Sequence, residues 1–417
     1  MRVQNKRVMT ALIVLLISLS LITTGCTNRR EMTDISIVTA SGYDRVMVDG
    51  KPMTITTMYC IKPSSTEGGV SGGAANKGVT FSAMGQNIVD SAVNFNLRMP
   101  RGYFISDIQV MLLGEEFAKE GISDYIDLFT RQREIRPRTL VAVCQGKAYD
   151  VLQAQPELES LLSGEIANKI QGGAIRASKA INTDLFQVMR DSLTPGKEVV
   201  VPYIKVVPRL EQSLLAEGDN QTGSSGGKSG ETGVQPKRVV TVSGSAVFLG
   251  DRMVGLLDDE ETQGMLLIDN KARYGTITTK LEDRNSNISL LLTKIPDTEV
   301  KPMIHDDVIK FEIKIKGRGE LASEENAVVG INKEDFKKAE ELINKVVVNR
   351  CQRAVDKSQE LKSDVFGFGA MLAVARPKYW EEIKDRWGEI FPSIKVNITA
   401  DFKIENTGLM NNPIQIR

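Results

Sequence analysis

The sequence predicts an α+β chain of more than one domain, with antiparallel-rich sheets and a long C-terminal amphipathic helix. Three observations carry this. Val308–Lys316 and Lys395–Ile404 alternate apolar and polar side chains, the period of strands with one buried and one wet face. Lys333–Lys362 instead places Ala339, Leu342, Ile343, Val346, Val347, Cys351, Ala354, Val355 and Leu361 on one helical stripe. Between these regions and the first half lies Glu211–Pro236, rich in Gly and Ser, which cannot bury enough apolar surface to offset its ordering entropy. The resulting division is 1–25 as an export signal and 26–210 as N-terminal mixed α/β structure. A flexible linker follows at 211–237, then a C-terminal α+β domain at 238–417.

In the N-terminal part, Met53–Ile61, Ile108–Leu113 and Thr139–Cys144 are β-branched, apolar runs that read as strands. Ser123–Arg131 has apolar residues at helical spacing behind a Ser cap, so the last two strands and this helix form a strand–helix–strand unit. Pro156–Ile175 and Thr183–Leu193 read as helices, the second stopped by Pro195-Gly196. Val199–Val207 reads as a strand whose Pro202 assigns it to a sheet edge. Ser64–Gly78 reads as a surface loop.

In the C-terminal part, Arg238–Leu249, a Gly250-Asp251 turn and Met253–Leu257 predict a hairpin. Asp258-Asp-Glu-Glu261 then opens a helix over Thr262–Asn270. Four consecutive acids admit a metal site, but a capping box with Asp258 as N-cap and Glu261 as its partner explains them better. Strands follow at Gly275–Leu281, Ile288–Ile295 and Val308–Lys316. The long helix, a shorter one at Pro377–Trp387 and a terminal strand complete the chain.

The N-terminus carries Arg2, Lys6 and Arg7 before the apolar run Ala11–Ile22. Twelve helical residues span about 18 Å against a hydrocarbon core of about 30 Å, which suits a signal-peptide h-region and not a span. Gly25-Cys26 closes the run and resembles a bacterial lipobox, with Thr23 where Leu is common. In that reading Cys26 is the lipid-modified first residue of the mature chain; the other reading is an uncleaved N-terminal anchor. Both place the remainder outside the cytoplasm at a membrane surface.

The charge balance, 53 Lys plus Arg against 53 Asp plus Glu, gives no basic face for nucleic acid. Without the three basic residues of the signal, acids exceed bases slightly. The single His, His305, removes His-rich metal sites and most nucleophile–imidazole pairs, and beside Asp306-Asp307 it reads as a surface turn residue. Cys60, Cys144 and Cys351 lie in apolar patterns with no metal-ligand spacing and read as buried thiols. Gly223–Gly227 formally matches G-x-S-x-G, and Gly223–Ser229 approaches a phosphate loop. Neither has the flanking strand and helix that such chemistry needs. No catalytic or metal-ligating residue is assigned.

Three segments together resemble the Ger(x)C family, the C-subunit lipoproteins of spore germination receptors. The first is Gly25-Cys26 with Arg29-Arg30-Glu31, Asp34-Ile35 and Ser41-Gly42-Tyr43-Asp44; Thr27-Asn28 stand where the family commonly has Trp-Asp. The second is Ser245–Asp258 with the Glu261 helix behind it. The third is Asp364-Val-Phe-Gly-Phe-Gly369, then Pro377–Trp380, Trp387, Ile390-Phe391-Pro392 and Thr407-Gly408-Leu409. The resemblance implies a non-enzymatic subunit anchored through the Cys26 lipid to the outer face of the inner spore membrane. It would work there beside a membrane-associated A subunit and an integral B subunit to sense nutrient germinants, with no cofactor beyond the covalent lipid. The alternative is a solute-binding lipoprotein that captures the germinant itself, normally built as two lobes around a cleft. No ligand-binding residue follows from the sequence.

Overall fold

The computed structural model describes residues 34–61, 78–209, 238–281, 286–306, 308–324 and 333–406, with Met9 and Ile13. Cys26, the expected linker at 211–237 and most of the expected Ser64–Gly78 loop lie outside the described residues.

Strands β1 (Ile35–Val48) and β2 (Lys51–Ile61) form a hairpin through Asp49-Gly50, both at positive φ (50° and 76°), and β3 (Val79–Gly85) pairs with β2. Asp-Gly suits the tight hairpin turn because both central residues must take left-handed backbone. Next come α1 (Ile88–Asn94), β4 (Gly102–Phe104), β5 (Val110–Gly114), α2 (Glu115–Glu120) and α3 (Ser123–Arg131). They are followed by β6 (Leu140–Cys144), α4 (Ala148–Leu152), α5 (Leu162–Arg176), α6 (Leu185–Ser192) and β7 (Val200–Pro208). The hairpin β8 (Arg238–Leu249) and β9 (Arg252–Leu257) closes a nine-stranded sheet of order β3-β2-β1-β5-β6-β7-β8-β9, with β4 beside the start of β1. Its centre, β1, β5, β6 and β7, is parallel and its flanks are antiparallel.

Helices cover both faces. Met111, Leu113, Val141 and Val143 face Phe117, Tyr125, Phe129 and Val188 on one side. Val110, Leu112, Leu140, Ala142 and Cys144 face Val151, Leu162, Ile166 and Ile170 on the other. This double cover explains why β5 and β6 are continuous apolar runs while Val308–Lys316, covered on one face, alternates.

The second sheet takes β10 (Thr276–Leu281), β11 (Ser286–Leu292), β12 (Asp297–His305), β13 (Val308–Glu324) and β14 (Lys395–Asn406). Its order is β10-β11-β13-β12, with β14 parallel to β13. One face is wet. The other packs Phe311, Ile313 and Ile315 against α7 (Asp259–Ile268) and α8 (Lys333–Glu360). The α8 stripe is core: Ala339, Ile343, Val347, Cys351, Ala354 and Val355 are fully buried. Short helices α9 (Phe368–Ala375), α10 (Pro377–Ile383) and α11 (Trp387–Ile390) lead into β14. The fold is α+β, with two sheets.

Several expectations change. The hairpin β8–β9 belongs to the first sheet, because Val200–Pro208 recruits Arg238–Val247 as its antiparallel partner. The first sheet thus runs across the expected boundary at 237/238. Pro202 does not mark an edge: β7 lies between β6 and β8, and the proline sits at a bulge between Pro202 and Ile204, a place inside a sheet where a residue without an N–H is tolerated. Ser123 is not the cap of α3; Ile122 holds that position, and the Ser123 hydroxyl donates to Asp251 at 2.8 Å. Pro156–Leu161 precedes α5 as an irregular segment folded around the Glu165 carboxylate. That group accepts from the backbone N–H of Glu157, Leu158 and Glu159 at 3.0–3.1 Å. Strand β12 is not among the strands expected from the sequence; Asp297–His305 contains Pro302, yet its exposure alternates residue by residue.

Candidate functional site

Two carboxylates from the segments that resemble the Ger(x)C family are deeply buried. Asp44, near the middle of β1, is 2% exposed, and its oxygens accept the backbone N–H of Ala148 (2.7 Å) and Tyr149 (2.9 Å) at the start of α4. Burial pushes its pKa up, against those two bonds. Gly114 ends β5 so close to Asp44 that a Cβ there would overlap the carboxylate.

Asp364, also 2% exposed, follows α8 in a tight turn. Its Oδ1 accepts from Gly367 N (2.9 Å) and Phe368 N (3.0 Å), and its Oδ2 from Gly369 N (2.8 Å) and Trp387 Nε1 (3.0 Å). Burial pushes its pKa up to about 6, the four donors acting in the opposite direction. The carboxyl group orders a loop where the two sheets meet. Glu198 N donates to Asp364 O (2.9 Å), Ala370 N to Gly196 O (3.2 Å), and Ser363 Oγ to Phe248 O (2.6 Å). Gly196, at φ 75°, and Gly369 touch backbone to backbone, with Trp380 and Trp387 packed around them. Those rings lie edge to face, their centroids 5.4 Å apart.

Beside this junction is a groove of about 700 Å³ between α3, the α6–β7 turn and the β8–β9 turn. Ile126, Met189 and Leu193 give it apolar wall, and Asp127, Lys197, Glu198 and Asp251 give it charge. Burial raises the pKa of Glu198, which accepts from Gly250 N at 2.8 Å. The volume suits a small molecule. Its lining includes Ser and Thr hydroxyls, with Ser123 bonded to Asp251, and no imidazole or thiol.

The remaining candidates fall into structural roles. Asp258 and Glu261 form the expected capping box: Asp258 accepts from Glu260 N and Glu261 N (both 2.8 Å), and Glu261 accepts from Asp258 N (2.9 Å). Arg353 reaches Asp258 (2.6 Å) and Glu260 (2.7 Å), and Arg350 reaches Glu260 (3.0 Å), so the acids fasten α7 to α8. Among the described residues no three His, Cys, Asp or Glu side chains form a group able to hold a metal ion. His305 stands exposed at the β12–β13 turn, 2.8 Å from Asp306. Cys60, Cys144 and Cys351 are free and buried, and burial pushes each thiol pKa up, Cys60 to about 12. Such thiols are poor nucleophiles. Among the described residues no helix is long and apolar enough to cross a membrane.

Sequence reasoning missed Gly196, Glu198 and Ser363. Pro195-Gly196 is visible as a helix stop, but nothing local in the sequence names Gly369 as the neighbour of Gly196.

Comparison with known proteins agrees with this architecture. Residues 28–206 match the family described as "Spore germination protein N-terminal domain", and residues 243–408 match "Spore germination B3/ GerAC like, C-terminal". The chain is 24% identical over 413 residues to spore germination protein KC of Bacillus subtilis, covering 97% of each. It is 22% identical over 397 residues to spore germination protein B3 of the same organism, covering 92% of this chain and 94% of that protein. The crystal structure of the GerBC protein superposes with a TM-score of 0.54 at 19% identity, over 88% of this chain and 98% of the other, and so shares its fold. With both domain families matched in order and relatives aligned almost end to end, this chain belongs to the Ger(x)C family of spore germination proteins.

Proposed function

We propose that this chain is the lipid-anchored C subunit of a nutrient germinant receptor, held through Cys26 at the outer face of the inner spore membrane. It acts there as a non-enzymatic interaction and signalling subunit beside the membrane A and B subunits. The observation that carries the reading is the near end-to-end similarity to proteins named for spore germination, joined to Gly25-Cys26 after a short apolar run. The buried thiols and the solitary exposed histidine support a role other than catalysis. A diacylglyceryl group supplies two chains and hence durable attachment, where one acyl chain binds reversibly. Confinement at the membrane also raises the effective concentration near integral partners, so modest intrinsic affinity suffices.

The test is Cys26→Ala in the full chain. The variant is expected to leave the spore membrane fraction and to slow nutrient germination; attachment and germination both intact would refute the tether. Germinant capture by this subunit is the second reading, favoured by the volume of the junction groove. Calorimetry with amino acids, sugars and nucleosides separates the two, saturable binding favouring capture.

A further inference from the structure

A second groove, of about 670 Å³, opens at the end of the first sheet where β1 begins. It shares no lining residue with the junction groove. Strands β5 and β6 run parallel to β1, and Ile37 pairs with Ile61, so the segments leading into β5 and β6 and the last residue of β2 all lie at this end. Helix α5 supplies another wall with Ala167, Asn168 and Gln171, and Leu161 stands just before that helix.

The floor is apolar, and its few hydroxyls are already used. Ile37, Ile61, Leu161 and Ala167 are half-buried, so each keeps apolar surface in water inside the groove. Thr39 sits at the bulge of β1, between Val38 and Ala40; its Oγ1 donates to Tyr59 O (3.5 Å) and accepts from Ser163 Oγ (2.9 Å). Thr139 Oγ1 donates to Ile108 O at 3.0 Å.

The rim is cationic. Arg136 and Arg138 line the groove with Asp107 as its one acid, which leaves one positive charge in excess. Arg136 Nη2 donates to Asp107 Oδ1 at 2.8 Å, whereas Arg138 meets no carboxylate within ion-pair distance among the described residues. The turn that carries both arginines is held at three points. Ile135 is 7% exposed and anchors it in the core, Thr139 N donates to Arg136 O (3.0 Å), and Phe186 N donates to Pro137 O (2.9 Å). Pro137, between the arginines, has its φ fixed by its ring. The guanidinium groups therefore project from ordered backbone, which reduces the entropy lost when they close on a ligand.

One excess positive charge above an apolar floor matches a ligand with one oxyanion and a carbon body. The Arg138 fork suits the paired oxygens of a carboxylate or phosphodiester, and the half-buried side chains gain by leaving water beneath the body. An uncharged solute would leave Arg138 unpaired, and a cation would be repelled.

We infer that this groove binds an amphiphilic monoanion, its carboxylate or phosphodiester held by Arg138 and Arg136 and its carbon body along Ile37, Ile61, Leu161 and Ala167. A free amphiphile and an anionic lipid offer the same chemistry. The site does not depend on the Cys26 anchor. The chain from Thr27 onward retains every labelled strand and helix and carries no lipid, so it isolates the groove.

Calorimetry of this chain with octanoate is expected to show saturable binding that weakens with added salt. Octanol, which lacks the charge, and acetate, which lacks the body, bind more weakly by about tenfold or more. Arg138→Gln weakens octanoate by about tenfold, and Ala167→Glu does the same by placing like charge in the groove. Arg133→Gln removes the same charge from the same turn outside the groove and leaves binding unchanged. Vesicles decide the source, and both results support the site. Displacement of octanoate by phosphatidylglycerol vesicles and not by phosphatidylcholine vesicles assigns it to a lipid head group; no displacement by either assigns it to a free anion. Absence of saturable octanoate binding, octanol bound as tightly as octanoate, or equal losses from Arg133→Gln and Arg138→Gln overturns the inference.

Discussion

Replacing Gly369 with Ala tests whether the Asp364 loop locks the two sheets together. The added Cβ would lie 2.7 Å from Gly196 Cα, 2.7 Å from Trp387 Nε1 and 2.8 Å from Trp380 Cη2. Ordinary contacts begin near 3.5 Å, so each neighbour must retreat by about 0.7–0.8 Å. Two of the three are held in place: Gly196 is backbone at positive φ, and Trp387 Nε1 is bonded to Asp364 at 3.0 Å. Overpacking of a tight core costs about 1–3 kcal/mol, and moving the indole also stretches a hydrogen bond to a charged group, worth about 1.5–3 kcal/mol. The expected loss is about 3 kcal/mol. Gly388→Ala is the control. It lies in α11 with nothing within 4 Å of its added Cβ, and should gain about 0.4–1 kcal/mol through helix propensity and unfolded-state entropy. The assay is urea unfolding followed by tryptophan fluorescence, which reports this junction because the chain's two tryptophans are Trp380 and Trp387. If Gly369→Ala loses less than about 0.5 kcal/mol, the range of an ordinary surface change, the reasoning fails.

Two further predictions concern the buried carboxylates. The Asp364 carboxyl has its pKa raised to about 6 in the fold, so its contribution is fully present below the unfolded value near 3.8 and is lost as pH rises through 6. The stability gap between the parent and Asp364→Asn should therefore narrow between about pH 4 and 6.5, by about 3 kcal/mol, in denaturant melts at stepped pH; a gap that widens contradicts the sign. Glu165 behaves oppositely. Burial raises its pKa, but the three backbone donors and Lys169 at 2.9 Å outweigh it and hold it at about 2. Its contribution is present above about pH 4.5 and lost as pH falls towards 2, so Glu165→Gln should cost about 3 kcal/mol at pH 7 and little at pH 2. A penalty equal at both pH values would remove the charge from the explanation.

Elements whose signal is contained in a short window are legible in the sequence. The capping box at Asp258 and Glu261 spans four residues, the α8 stripe repeats within each pair of turns, and the Phe311–Ile315 alternation needs one strand. The candidate site is legible only as a string: Asp364, Gly369, Trp380 and Trp387 stand out in order along the chain, while the role of the aspartate depends on the positions of its four donors.

The sequence alone determined the class of the fold, the order and type of most elements, and the family, because these rest on local periodicity, capping and motif order. Tertiary structure decided which strands share a sheet, how Pro202 is tolerated inside one, and why Gly196 and Gly369 are glycines. Strand partners and buried contacts join residues far apart in the chain; Gly196 meets Gly369, and Ser363 meets Phe248. No local window contains both members of such a pair, and the energy that selects them appears only when the surfaces close.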